Sequence, residues 1–201
     1  MGKITVTPAP IEGLYIIEPQ VFGDSRGYFM ETYSKRDMEQ AGLYFDFVQD
    51  SHSKSRRGVL RGLHFQKQHP QGKMVRAIQG RLYDVAVDLR ASSPSFGQWF
   101  GVELSEENHK QLLIAPGFAH GFLALSETVQ VCYKSTDLYC PGDEGGLAWN
   151  DPTLGIEWPE LVGSYQGSPS AQGYSLEGGA ELILSEKDQH WPGLDSCFRF
   201  E

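Results

Sequence analysis

Gly58-Val59-Leu60-Arg61-Gly62-Leu63-His64-Phe65-Gln66 is the stretch on which the fold reading turns. It has the apolar and aromatic content of a strand, and the two-residue period of a strand puts His64 and Gln66 on one face. Lys73 follows a Gly-containing turn, and Gly80 closes the segment. Outward from this point, strand-like runs recur at 14–18, 28–33, 59–65, 74–78, 82–89, 98–104, 118–125 and 128–136, separated by glycine, proline or polar turns. The run 82–89 nearly alternates, as a half-buried antiparallel strand should. Only 35–42 has helix character, ending at Gly42. With no strand–helix–strand alternation, a doubly wound parallel sheet is excluded. The pattern predicts an all-β fold, an antiparallel sandwich or barrel with a few short helices.

The 201 residues suit a single domain over 1–201. Residues 163–179 are rich in Gly, Ser, Pro and Gln and read as a flexible insertion, with order resuming at 181–185. The hydrophobic fraction of 40% is enough for a real core. A net charge of -9 argues against a nucleic-acid partner, though not against a small anionic substrate in a locally positive pocket. The basic run 54–57 reads as a solvated loop. Three cysteines, Cys132, Cys140 and Cys197, show no paired spacing, so neither disulfides nor a zinc site are expected. No apolar h-region opens the chain and no apolar run could span a bilayer, so a cytoplasmic protein with no membrane partner is expected.

The spacing Gly58, His64, Gln66, Lys73, Gly80 resembles the first motif of the cupins, and Pro116-Gly117-Phe118-Ala119-His120 approximates the second. The resemblance implies a jelly roll with both histidines turned into the barrel. Cupins hold metal here through further His and Glu donors, but Gln66 and Lys73 stand in those places. Two imidazoles are too few donors, and a lysine ammonium repels a cation, so no metal is expected.

What remains suits proton transfer next to a ketone. That reaction needs a base at carbon, a cation at the developing enolate oxygen and an acid on the other face. His64 is the natural base, Lys73 the oxyanion partner and Tyr133 the acid. A carboxylate should orient His64, and Asp188 is the candidate. A strand histidine alone is usually structural; its register with Gln66, Lys73, His120 and Tyr133 points to chemistry. His52, His69, His109 and His190 receive no role.

Several separate motifs then bring in a family. Asp24-Ser25-Arg26-Gly27-Tyr28-Phe29-Met30-Glu31, the 61–66 stretch, Pro116-Gly117-Phe118-Ala119-His120-Gly121-Phe122, Tyr133-Lys134-Ser135-Thr136 and Trp149-Asn150-Asp151-Pro152 resemble the dTDP-4-dehydrorhamnose 3,5-epimerases. The resemblance covers about 10–160 and resumes at 183–188. It implies a cupin fold, no cofactor, and a homodimer whose N-terminal arm (about 1–35) exchanges a strand with its partner. It also implies a dTDP-4-dehydro-6-deoxy-D-glucose substrate in dTDP-L-rhamnose biosynthesis. By resemblance His64 is the base, Tyr133 the proton donor and Asp188 the partner of His64. Arg26, Glu31, Gln49, Asp50, Arg61, Lys73, His120, Glu144 and Lys187 would contact the sugar nucleotide, with Arg26 and Arg61 suited to the diphosphate. Ser51 stands where the family has an asparagine and keeps one hydrogen bond for the same contact. The alternatives are an epimerase acting at C3 or C5 alone, a metal-dependent cupin, or a non-catalytic binding module.

Overall fold

The structure is a computed structural model that describes residues 4–163 and 173–201. Its strands are β1 (Ile4–Pro8), β2 (Leu14–Pro19), β3 (Val21–Asp24), β4 (Gly27–Met30), β5 (Gln49–Arg56), β6 (Leu60–Gln66), β7 (Lys73–Gln79), β8 (Arg81–Asp88), β9 (Trp99–Ser105), β10 (Gln111–Ile114), β11 (Phe118–Ala124), β12 (Thr128–Ser135), β13 (Glu144–Gly146), β14 (Leu161–Val162) and β15 (Ser175–Leu176). Two sheets carry the fold, with orders β1-β2-β10-β7-β12-β5 and β13-β6-β11-β8-β9. Every pairing between these strands is antiparallel. The expected all-β sandwich is therefore what forms.

Alternation decides which residues meet between the sheets. Leu82 and Ala86 of β8, Phe118, Phe122 and Ala124 of β11, Val75 and Ala77 of β7, and Val129 and Val131 of β12 join one buried cluster. Lys73, Asp84, His120 and Tyr133 share the parity of these inward residues, and His64, opposite His120 in the ladder, joins them at one end of the sandwich. The other face of the five-stranded sheet is covered too. Val85, Val87, Ala119 and Leu123 pack against Trp149, Leu154, Trp158 and Leu194 of the C-terminal segment. This corrects the half-buried reading of 82–89: from Asp84 onward β8 is buried on both faces.

The helix α1 (Lys35–Gln40) is capped by Ser34, whose Oγ accepts from the Asp37 amide at 3.3 Å. It packs Met38, with Leu43 just beyond it, on Met74 and Leu113 of the outer face of the six-stranded sheet. Strand 28–33 is shorter than read, and β4 instead forms an exposed hairpin with β3. The basic run 54–57 is not a loop: Lys54, Ser55 and Arg56 belong to β5. Part of the expected insertion, 164–172, lies outside the described residues. Of its described part, Ser175–Leu176 pairs with Leu161–Val162, and Leu176 is buried. No helix among the described residues is long and apolar enough to cross a membrane.

Candidate active site

Two adjoining cavities, of about 510 and 260 Å³, share His64, Lys73, Tyr133 and Glu144 in their walls. Together they form one cleft at the polar end of the sandwich. His64 stands on β6 and His120 on β11, directly opposite each other in the ladder. Lys73 and Tyr133 come from β7 and β12 of the facing sheet. The close pairing of β6 and β11 depends on glycine. Gly62 has φ +134°, and a Cβ there would meet the Gly121 backbone at about 2.5 Å.

His64 Nε2 lies 2.5 Å from Asp188 Oδ1. Asp188 is buried and sits on a 3-10 turn (Lys187–Gln189) that reaches the cleft from the C-terminal segment. Burial alone would raise its pKa, but the hydrogen bonds from His64, Ser185 and Trp191 prevail and hold it below the ordinary carboxylate value. A second pair stands behind the first: His120 Nε2 lies 2.9 Å from Asp84 Oδ1. Asp84 is fully buried, and its Oδ2 has no hydrogen-bond partner among the described residues. Burial brings the Lys73 ammonium down to about 8, although the charges of Asp84 and Glu144 push the other way.

The remaining expected residues divide. Arg61 lines the larger cavity, held by Ser55 Oγ at 3.1 Å and the Lys54 carbonyl at 3.4 Å. Glu144 and Lys187 also line it and pair with each other at 2.7 Å. Gln49 and Ser51 line the smaller one, with Gln49 Nε2 donating to Ser51 Oγ at 3.2 Å. Asp50 points away, into a separate recess, and binds Lys134 at 2.8 Å. Arg26, at the tip of the β3–β4 hairpin, and Glu31 beyond it line neither cavity; Arg26 is exposed and pairs with Asp24.

Sequence reading missed Asp84, Trp191, Ser53 and Tyr139, all of which border or support the cleft. Asp84 had a signal, a carboxylate on the same strand face as Leu82 and Ala86. The others had none.

No group of three or more His, Cys, Asp or Glu that could hold a metal occurs among the described residues. Gln66, in the place of a cupin ligand, has its amide fully used. Nε2 donates to the His69 and Leu138 carbonyls at 2.8 and 3.1 Å, and Oε1 accepts from the Cys140 amide at 2.7 Å. It ties two loops together at the rim of the cleft. What the arrangement offers is a carboxylate-backed imidazole, an ammonium and a phenol around one cleft, with imidazole and phenol on opposite sheets.

Comparison with known proteins agrees with this chemistry. The sequence profile of the dTDP-4-dehydrorhamnose 3,5-epimerases matches residues 8–196. The chain is 48% identical over 194 residues to a dTDP-4-dehydrorhamnose 3,5-epimerase of Methanothermobacter thermautotrophicus, covering 96% of each chain. It is 43% identical over 200 residues to that of Escherichia coli, covering 98% of each. The crystal structure of a Legionella pneumophila dTDP-6-deoxy-D-glucose-3,5-epimerase in complex with dTDP-4-keto-L-rhamnose superposes with a TM-score of 0.85. That pair is 42% identical, covering 98% of this chain and 99% of the other.

Proposed function

We infer the reaction from one premise: the chain belongs to the dTDP-4-dehydrorhamnose 3,5-epimerase family. It is an isomerase that inverts C3 and C5 of dTDP-4-dehydro-6-deoxy-D-glucose by proton transfer next to the C4 ketone, in dTDP-L-rhamnose biosynthesis.

The residue roles are our proposal. His64 removes the proton from C3 and the bonding electrons move onto the C4 oxygen, giving an enolate. Lys73 stands against that oxygen as the positive charge. Asp188 orients His64 and stabilises its protonated form, as the carboxylate of a catalytic triad does. Tyr133 returns a proton to the opposite face of the carbon. Once His64 has released its proton to solvent and Tyr133 has taken one up, the same cycle repeats at C5. The observation that carries this assignment is that His64 and Tyr133 project into one cleft from facing sheets, with Lys73 beside them. Arg61 and Lys187 suit the diphosphate, and Gln49, Ser51 and Tyr139 suit the nucleoside end of the smaller cavity. No cofactor enters the scheme.

We also propose a cytoplasmic homodimer with an exchanged N-terminal segment. The β3–β4 hairpin supports it: Phe22, Tyr28 and Phe29 are exposed, and Arg26 sits at its tip, outside this chain's own cleft. Sedimentation of the purified chain tests the dimer.

The reaction is tested by incubating dTDP-4-dehydro-6-deoxyglucose with the protein in deuterium oxide and reading the sugar protons by NMR. Deuterium at both C3 and C5, lost in His64→Ala, is the expected result. Entry at one carbon only would make it a single-site epimerase, and entry at neither would leave a binding protein.

A further inference from the structure

Asp188 has a second partner on its catalytic oxygen. The Trp191 indole Nε1–H donates to Asp188 Oδ1 at 3.2 Å, the same oxygen that lies 2.5 Å from His64 Nε2. The Trp191 ring stands edge-on to the imidazole, with centroids 6.1 Å apart and planes at 71°. One tryptophan therefore touches both members of the pair.

The other side of Trp191 is walled by β13. Gly146 is the ladder partner of His64, and a Cβ placed on Gly146 would overlap the indole carbons of Trp191. Gly146 is not among the residues with positive φ, so its lack of a side chain answers to space and not to backbone conformation. Glycine at 146 lets the indole press against the strand beside His64.

We propose that Trp191, clamped by Gly146, is a positioning residue that fixes which lone pair of Asp188 faces His64 and shares the charge on that oxygen. The inference rests on the reading of His64 and Asp188 as the working base. A carboxylate on a short turn is free to rotate about its last torsion, and a second donor on the same oxygen removes that freedom. The donor also draws negative charge away from the imidazole, which favours the neutral ring that a base needs. The other charged or titratable groups in the cleft are Arg61, Lys73, His120, Tyr133, Tyr139, Glu144 and Lys187, contributed by β6, β7, β11, β12, the loop after β12, β13 and the 3-10 turn. None of these is altered in the variants below.

Trp191→Phe keeps the ring and removes the donor. The expected result is a fall in kcat of about tenfold with KM within about twofold, the scale of one hydrogen bond to a charged group. The acid limb of kcat should move to higher pH, since the unshared carboxylate favours the protonated ring. Wild-type kcat and an unmoved limb in Trp191→Phe would overturn the proposal. The clamp is tested by a double-mutant cycle. Gly146→Ala should cost about tenfold in kcat alone but less than about twofold in a Trp191→Ala background, where the obstruction is gone. Equal cost in both backgrounds would overturn the clamp. A third readout needs no substrate: the Trp191 indole 15N–H resonance should move in Asp188→Asn. An unmoved resonance would overturn the bond whatever the activity. Failure of the underlying reading shows separately, as wild-type protein that brings no solvent deuterium into the sugar.

Discussion

His64 and His120 face each other across the β6–β11 ladder, yet their Nε2 atoms turn to different carboxylates, Asp188 from the C-terminal turn and Asp84 from β8. One pair reaches the cleft through a partly exposed imidazole; in the other a nearly buried imidazole lines the larger cavity and its carboxylate is fully buried. The expected consequence is that the two are not interchangeable. His64→Ala should lower kcat by about 10³-fold or more, and Asp188→Asn by about 10²–10⁴-fold with substrate still bound, the range seen when a base or its orienting carboxylate is removed. Steady-state kinetics beside a binding isotherm for dTDP check both.

Lys73 sets an alkaline limit. Its ammonium loses its proton near pH 8, because burial outweighs the charges of Asp84 and Glu144. Activity should therefore decline above about pH 8 as the cation at the enolate oxygen disappears. Stability runs the other way. The unfolded lysine keeps its proton to about pH 10, so between these values the unfolded chain binds more protons and folding gains as pH rises. Lys73→Ala should cost about 10²–10³-fold in kcat. Asp84→Asn should move the alkaline limb to lower pH, since one of the two opposing charges is gone. A kcat profile from pH 6 to 10 beside melting curves reads all three.

Gln66→Ala should destabilise the fold by about 2–4 kcal/mol, since it strips partners from the His69 and Leu138 carbonyls and the Cys140 amide at a buried position. Gln66→His should not restore metal binding, because Lys73 remains beside it. Urea denaturation and metal analysis of the purified variants are the measurements.

Asp88 anchors the loop after β8. Burial would raise its carboxyl, but bonds from Arg90, Ser93 and Ser95 hold it at about 2, against an ordinary value of 3.8. A depressed carboxyl stabilises the fold above its unfolded value and loses that contribution as pH falls through its folded value. The difference corresponds to about 2 kcal/mol. Asp88→Asn should lose that amount at pH 7 and flatten the stability curve between pH 4 and 2, as read by chemical denaturation at each pH.

The fold was legible wherever burial imposed a pattern. The runs at β6, β7, β8, β11 and β12 stood out because their inward residues are apolar or chemically distinctive. β5 did not, because Gln49–Arg56 contains no apolar side chain: Ser51, Ser53 and Ser55 face inward at the cleft end, and most of the other face is in solvent. The site was legible to the same degree. His64, Lys73, His120 and Tyr133 lie on strands whose spacing carries their register. Asp188 came from a distant segment and was found by the need of His64 for a carboxylate. Trp191 and Tyr139 met no such need and were invisible, because only three-dimensional closure brings a C-terminal turn and a loop to the same cleft. Arg26 and Glu31, in and just beyond the β3–β4 hairpin, lie outside the cleft of this chain, so a single chain does not place them against a ligand.

His64 and Tyr133 ride on different sheets, and nothing covalent fixes the interval between them. That interval is set by the side chains of the apolar floor, Phe122 and Val131 among them, which are both lining residues of the cleft and members of the inter-sheet core. The thickness of the sandwich is thus a stereochemical parameter. A methylene added to or taken from that floor would alter the reach from imidazole to phenol, and with it the ratio of inverted to retained carbon, before any group that moves a proton had been touched.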